Sequence, residues 1–401
     1  MKKVLALLLA SMMLFATACG SSESAPSDTT AESTTTESTA GETAAEVKDV
    51  KIAMMIWDNG PQQTATQNYC KALEEGIEGL SFVYGQLDSA DEDANVAACQ
   101  AMIAQGCQGI ILYNQTLGLP TIAEMCKEAG VYVAMYLNDP APDMKEALAG
   151  NEYYVGGVMD GVLDTGVIGK FAAEVAIANG YKHIGSVSFP LDVIPPMKTM
   201  VEAFYGTIEE YNATVADADK IEMYENEEVF FTQVDASYFA NHPEIDAVFG
   251  AGGGVLSVYP TIVSAGLTDK VKLVSTGMLY DDDTIAAIEN GNIVLATTSS
   301  IEQLVYPVAM IHNAVNGLSY ADQPATNDTV GCGMMYIQTK EDIQTMKDHS
   351  YLYAQSYDEV DRLMITPEQA KTYMLAFNPD ATYAELTAVL ETLNMETLAA
   401  K

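Results

Sequence analysis

Positive charge is scarce in this chain. Of its 401 residues, 18 are Lys or Arg against 56 Asp or Glu, a formal net charge of -38. A field of that sign repels nucleic-acid phosphates and anionic lipid headgroups, so neither is an expected partner. Tryptophan is scarcer still, with Trp57 the sole example. Past the first 19 residues, no apolar run is long enough to cross a bilayer. The cysteines beyond Cys19 are Cys70, Cys99, Cys107, Cys126 and Cys332, with no CxxC among them, and the four histidines are scattered. That pattern offers no zinc motif, so no metal site is expected. Five thiols cannot all pair within one chain, and buried free thiols are the expectation. Also missing are a Gly-x-Ser-x-Gly elbow, a Gly-x-x-x-x-Gly-Lys-Ser/Thr phosphate loop and EF-hand spacing. In so acidic a chain, pairs of carboxylates carry no weight for hydrolysis. No cofactor and no catalytic turnover are expected.

What is present begins with Lys2, Lys3 and an apolar run over residues 4–16, followed by Ala16-Thr17-Ala18-Cys19-Gly20. A basic start, a short apolar core and small residues before a cut read as an export signal. A cysteine directly after the cut reads as a lipidation site. The segment resembles a bacterial lipoprotein signal, with Ala16 where that pattern usually carries Leu. The resemblance implies acyl chains on Cys19 and a protein tethered to the extracytoplasmic face of the cell membrane, not spanning it. Residues 20–46 are mostly Ser, Thr, Glu and Ala with no Lys or Arg. They lack the apolar mass to form a core, so 20–48 is read as a disordered linker.

The composition of the rest is that of a globular body, at 49% hydrophobic residues over the chain. Short β-rich runs are expected at 50–56, 81–87, 109–113, 132–137, 183–189, 220–225, 247–249, 272–276 and 293–298. Helices are expected between them, near 63–78, 91–105, 119–129, 167–179, 196–210, 229–241, 256–265 and 283–290. Alternation of this kind predicts an α/β fold of two doubly wound parallel-sheet lobes, with a break near 140–160. Ligands of such sheets bind beyond the carboxyl ends of the strands. The candidates there are Trp57, Asp58 and Asn59, then Asn114 and Gln115, then Asn138 and Asp139, then Phe189, Leu191 and Asp192. Each is also an ordinary turn residue, so it is their recurrence at strand ends that points to a polar small molecule.

The glycine run Gly250-Ala251-Gly252-Gly253-Gly254 lies between a strand and a helix, but it lacks the last glycine of a dinucleotide fingerprint. No acid ends the following strand either. Ligand space or close helix–strand packing fits it better. Asp281-Asp282-Asp283 reads as the N-cap of a helix. Beyond about residue 340 the chain continues with helices expected near Glu341, Pro367 and Thr382, the last with Glu385 as a capping partner.

The stretches Lys51-Ile-Ala-Met-Met-Ile, AMIAQGCQGIILYNQ (101–115), CKEAGVYVAMYLNDP (126–140), HPEIDAVFGAGGG (242–254), VSTG (274–277) and AAIENGNIVLATTSS (286–300) occur in an order that resembles the type I periplasmic-binding family. That family includes the ribose- and galactose-type solute receptors of ABC importers. The resemblance implies two lobes joined by a three-strand hinge. Residues 49–160 plus 300–330 would form the first lobe, and 161–299 plus 331–401, with an extra helical tail, the second. By the same resemblance, Trp57 is a stacking aromatic and Asn138 and Asp139 stand where many members carry an Asp-Arg pair. Asp164 stands near a hinge-proximal acid, Lys198 near an arginine of the second lobe, and Ser299 near a crossover glutamine. Sugar binders of the family often carry Asn-Asp and Phe-Asp where this chain has the glycine run around Gly252 and Thr276-Gly277. Losing both carboxylates implies a ligand larger than a plain pentose, or one bound through main-chain donors, or not a sugar.

The expected function is capture of a small polar ligand, sugar-like first and nucleosides or other metabolites next, for delivery by a monomer to an ABC permease. A receptor serving a membrane sensor kinase is the alternative, and an exported enzyme the contrary class.

Overall fold

The computed structural model describes residues 47–56, 60–192, 194–230, 232–350, 352–353 and 364–400. Strand β1 (Val50–Ile56) follows from an apolar run with no polar alternation. Ile52, Ala53, Met54 and Met55 are all fully buried, which only a strand covered on both faces allows. The chain then alternates through α1 (Pro61–Gly76), β2 (Leu80–Gln86), α2 (Glu92–Ala104), β3 (Gly109–Tyr113), α3 (Leu119–Ala129), β4 (Tyr132–Tyr136), α4 (Pro142–Leu148) and β5 (Tyr154–Val158). A second series follows with α5 (Gly166–Ala178), β6 (His183–Ser188), α6 (Pro195–Thr214), β7 (Glu222–Glu228), α7 (Ser237–Asn241), β8 (Ala247–Ala251), α8 (Gly254–Ser257), α9 (Tyr259–Ser264), β9 (Lys272–Ser275), α10 (Asp282–Glu289) and β10 (Ile293–Thr298). Helix α11 (Val305–Val315) returns to the first lobe, packing on β4 and β5. Strand β11 (Thr329–Val330) pairs with β5, and β12 (Met335–Ile337) runs antiparallel beside β10.

The described residues thus form two six-stranded sheets, ordered β11-β5-β4-β3-β1-β2 and β12-β10-β9-β8-β6-β7. Apart from β12, all neighbours are parallel. The chain passes between lobes at 159–165, 299–304 and 331–334. In each sheet the order reverses between the first and third strands, β1/β3 and β6/β8. That switch point is where a crevice opens beyond the strand ends.

Four differences from the sequence reading have local causes. The break expected at 140–160 contains α4 and β5. Gly156 and Gly157 mask that strand by weakening its propensity, yet a Cβ on Gly157 would lie 2.7 Å from Met135 Cβ, and one on Gly156 2.9 Å from the Asp328 carbonyl. The helix expected at 229–241 forms only as α7, because Asp235 accepts a bond from the Ser237 amide at 2.8 Å and turns the chain there. The one at 256–265 divides into α8 and α9, with Pro260 in the first turn of α9. Finally, the tail does not belong to the second lobe alone. Helices α12 (Lys340–His349) and α15 (Met395–Ala399) pack on α10 and β12. Helices α13 (Pro367–Lys371) and α14 (Tyr383–Glu391) instead pack on α1 and α11 of the first lobe. The Tyr69 hydroxyl donates to Ile365 O at 2.9 Å, and Asp322 accepts from the Tyr383 and Ala384 amides at 2.8 and 3.0 Å. Buried apolar side chains anchor both parts of the tail, Leu386 on α14 against the first lobe and Leu398 on α15 against the second.

The capping expectations hold where they can be read. Asp281 accepts from the Thr284 amide at 2.8 Å, and Thr382 with Glu385 closes a capping box. Cys70, Cys99, Cys107, Cys126 and Cys332 are all free and buried. Desolvation raises the thiols of Cys99 and Cys126 to about 12. Inert packing, as in a small hydrophobe, is what such thiols do.

Candidate ligand-binding site

The carboxyl ends of both sheets turn toward the hinge, since all three crossovers leave from them. In the first lobe β3 ends at Asn114, exposed and left-handed with φ 47°, and β4 ends at Leu137, buried with φ 64°. A positive φ at a bulky leucine costs about 1–3 kcal/mol. That strain sits at two adjacent strand ends and is held by the Asn114 amide donating to Tyr136 O at 2.7 Å. At the first crossover Asp160 is exposed to solvent. The Ser299 hydroxyl, from the second crossover, donates to its Oδ1. Surrounding protein raises the Asp160 carboxyl above the ordinary range by desolvation, and the Ser299 bond opposes that rise. Water still reaches the group, which limits the penalty.

The second lobe presents a different surface. Phe230 after β7 is 65% exposed. Phe189 after β6 is buried, with its ring 3.6 Å from where a Gly253 Cβ would stand. Tyr280, in the loop after β9, bonds Thr298 at the end of β10, and its hydroxyl is held protonated by burial and by the nearby Asp160 charge. Phe230 and Tyr280 are an aromatic face and a hydroxyl after strand ends of the second lobe, groups that suit a ligand having both apolar faces and polar edges.

The structure brings some predicted residues here and turns others away. Ser299 reaches the hinge floor, and Asn114 stands free at its strand end. Gly252 does not offer its amide to a ligand. The amide donates to Thr276 Oγ1 at 2.6 Å, so these two candidates satisfy each other and Thr276 is buried. The glycine run is explained by packing. A Cβ on Gly250 would meet Gly254 Cα at 2.4 Å, and one on Gly254 the Ser275 hydroxyl at 2.9 Å. Asn138 accepts from the Asp139 amide at 2.8 Å. Asp139 pairs with Lys145 of α4 at 2.6 Å and so acts within its own loop. Asp164 accepts from the Gly166 amide at 3.0 Å and starts α5. Lys198 is exposed on the first turn of α6. Trp57, Asp58, Asn59 and Cys19 lie outside the described residues.

The chain matches the model of the periplasmic binding protein domain over residues 50–319. It belongs to the periplasmic binding protein family. No curated protein matches it significantly. Among solved structures it is similar to a solute-binding protein of an ABC transporter from Actinobacillus succinogenes with bound D-allose. The identity is 15%, the TM-score 0.57, and the match covers 74% of this chain and 99% of the other. It is also similar to a periplasmic ribose ABC transporter protein from Conexibacter woesei, with 15% identity, TM-score 0.55 and coverage of 75% and 95%. An arabinose-binding protein from Geobacillus stearothermophilus shares 13% identity, with TM-score 0.57 and coverage of 74% and 98%. At such identities the likeness is one of fold.

Sequence reasoning did not single out Asp160, Tyr280 or Phe230, which this binding protein carries after strand ends at the candidate site. Asp160 follows the strand that its glycines concealed, and Phe230 lies in the stretch read as helix. A search of residues after every strand would have found both. Among the described residues no group of His, Cys, Asp or Glu is placed to hold a metal, and no helix is long and apolar enough to cross a membrane.

Proposed function

We propose that this binding protein captures a small uncharged polyol, a sugar or close analogue, between its two lobes and hands it unaltered to an ABC permease from a lipid tether on Cys19. The observation that carries the reading is Asp160. It is an exposed acid at the hinge, bonded by the Ser299 hydroxyl and near the Tyr280 phenol of the second lobe. A carboxylate accepts hydrogen bonds from hydroxyls, and aromatic faces stack on the apolar faces of a sugar ring. The sugars bound by the similar structures, D-allose among them, support the same class. Binding that is stronger in the closed arrangement shifts the lobes toward closure, and a permease can then discriminate loaded from empty protein. Delivery requires no chemistry at the ligand, so no turnover is expected.

The test is a thermal-shift screen of the mature protein against D-allose, D-ribose, D-arabinose, uridine and the common amino acids, followed by calorimetry. A sugar should raise the melting temperature, since it binds only the folded state. Stabilisation by uridine or an amino acid with none by sugars would move the ligand class. Release of a chemically changed sugar in excess of the protein would make it an enzyme.

A further inference from the structure

The three crossovers are joined by one chain of side-chain hydrogen bonds that the proposed capture of ligand does not by itself require. Ser299 Oγ donates to Asp160 Oδ1. Gln303 Nε2 donates to Ser299 Oγ at 2.8 Å. Cys332 Sγ, on the third crossover, donates to Gln303 Oε1 at 2.8 Å, with the Gly333 and Met159 carbonyls at 3.4 and 3.7 Å around the same sulfur. Gln303 and Ser299 are essentially inaccessible, and Cys332 nearly so, whereas Asp160 is exposed.

The direction of this chain is dictated by its ends. An ionised carboxylate can only accept, so the single Ser299 hydrogen goes to Asp160. The Ser299 oxygen then has only lone pairs for Gln303, which must present its NH2. The amide oxygen is thereby turned to Cys332, whose sulfur is ringed by acceptors and gives up its one hydrogen. Burial holds that thiol protonated and therefore a donor. Every hydrogen points toward Asp160, and bonds aligned in one sense polarise each other.

We propose that Gln303 and Cys332 are positioning residues for ligand selection: with Ser299 they hold Oδ1 of Asp160 and leave Oδ2 as a fixed acceptor toward the cleft, selecting ligands that bring a hydroxyl or amine hydrogen to the hinge floor. The inference rests on capture between the lobes. A ligand presenting a carboxylate or phosphate there would meet an acceptor it cannot satisfy. The titratable groups that the described residues set near Asp160 are Tyr136 on β4, Tyr280 after β9 and Cys332. Burial raises all three, so they stay neutral while Asp160 titrates.

The test separates the relay from the ligand. In ligand-free protein the carboxyl carbon of Asp160 is followed by NMR through an acid titration, its signal identified by its loss in Asp160→Asn. Removing a donor should raise the titration midpoint, since the Ser299 bond lowers it. Ser299→Ala should shift it most, and Gln303→Met, of matched volume, by about half a unit to one unit. Cys332→Ala should shift it less and Cys332→Ser, which keeps a donor, least. In calorimetry Gln303→Met should weaken D-allose binding about tenfold, the scale of one misoriented charge-assisted bond. The acid limb of its binding profile should move to higher pH by the same shift as the midpoint. An unmoved midpoint in both Ser299→Ala and Gln303→Met overturns the relay, even if D-allose still binds. A moved midpoint with no binding of D-allose leaves the relay standing and sinks the sugar assignment. If Gln303→Met does not fold, the Ser299→Ala and Cys332→Ala midpoints decide alone.

Discussion

Acid should loosen this protein through one histidine. His312 lies on α11 between the first sheet and the tail, with no exposed surface and its ring stacked on Phe377 at 5.3 Å. Neither ring nitrogen has a hydrogen-bond partner among the described residues. Burial disfavours the imidazolium and pushes its pKa from 6.5 down to about 4. Between those values the unfolded chain binds a proton that the native state refuses, so stability is fully present above the unfolded pKa and is lost as pH falls through the window. Working the linkage from those two values, lowering the pH from about 8 to about 5 costs about 2 kcal/mol from this group alone. The assay is urea unfolding at both pH values for the wild type and for His312→Phe, which keeps a ring against Phe377 and cannot titrate. Carboxylates contribute equally to both proteins and cancel in the difference. The wild type should lose about 2 kcal/mol more than the variant over that interval. Equal losses would show that His312 is hydrated or finds a partner, and that the tail covers it less tightly than the geometry says.

Phe230→Ala should weaken D-allose binding by about 0.5–1.5 kcal/mol in calorimetry while shifting the urea midpoint little, because the side chain is largely exposed. Trp57 is the only tryptophan and directly follows β1, so its emission should change when D-allose is added; a bound sugar with flat emission would remove it from the site. Gly252→Ala should lower stability by about 1–3 kcal/mol, since φ is 74° there and a Cβ would meet the Met197 methyl at 1.9 Å; an unchanged melting temperature would mean the loop can relax. Cys19→Ala should release the protein from cell membranes into the soluble fraction, and persistent membrane retention would count against acylation.

What could be read from the sequence was what depends on neighbours along the chain. The buried parallel strands appeared as continuous apolar runs: β1, β3 and β10 stand at the expected residues because Val, Ile, Leu and Met fill both faces. Caps at Asp281 and Thr382 were legible for the same reason, since a cap and its partner lie three residues apart. Elements carrying glycine were not. In β5 the glycines look like loop until Met135 and Asp328 are placed against them. The candidate site divides along the same line. Asn114 could be found as the residue after a strand. Asp139 misled, because Lys145 six residues on uses its carboxylate. So did Gly252, because Thr276 takes its amide.

The hinge relay was hidden for a stronger reason. Asp160, Ser299, Gln303 and Cys332 are drawn from three crossovers, its first two members 139 positions apart in sequence. No local pattern marks them, since each is unremarkable where it stands. A buried glutamine amide next to a buried thiol is costly unless both are satisfied, and here each satisfies the other only once the third crossover is in place. The polar atoms of the hinge therefore require the assembly of both lobes in a way that the apolar cores, which each sheet can bury separately, do not. Under the proposed relay, specificity at the floor of the cleft and the joining of the lobes are one requirement. A change to Gln303 should disturb ligand choice and lobe geometry together, whereas a change to the exposed Phe230 should disturb affinity alone.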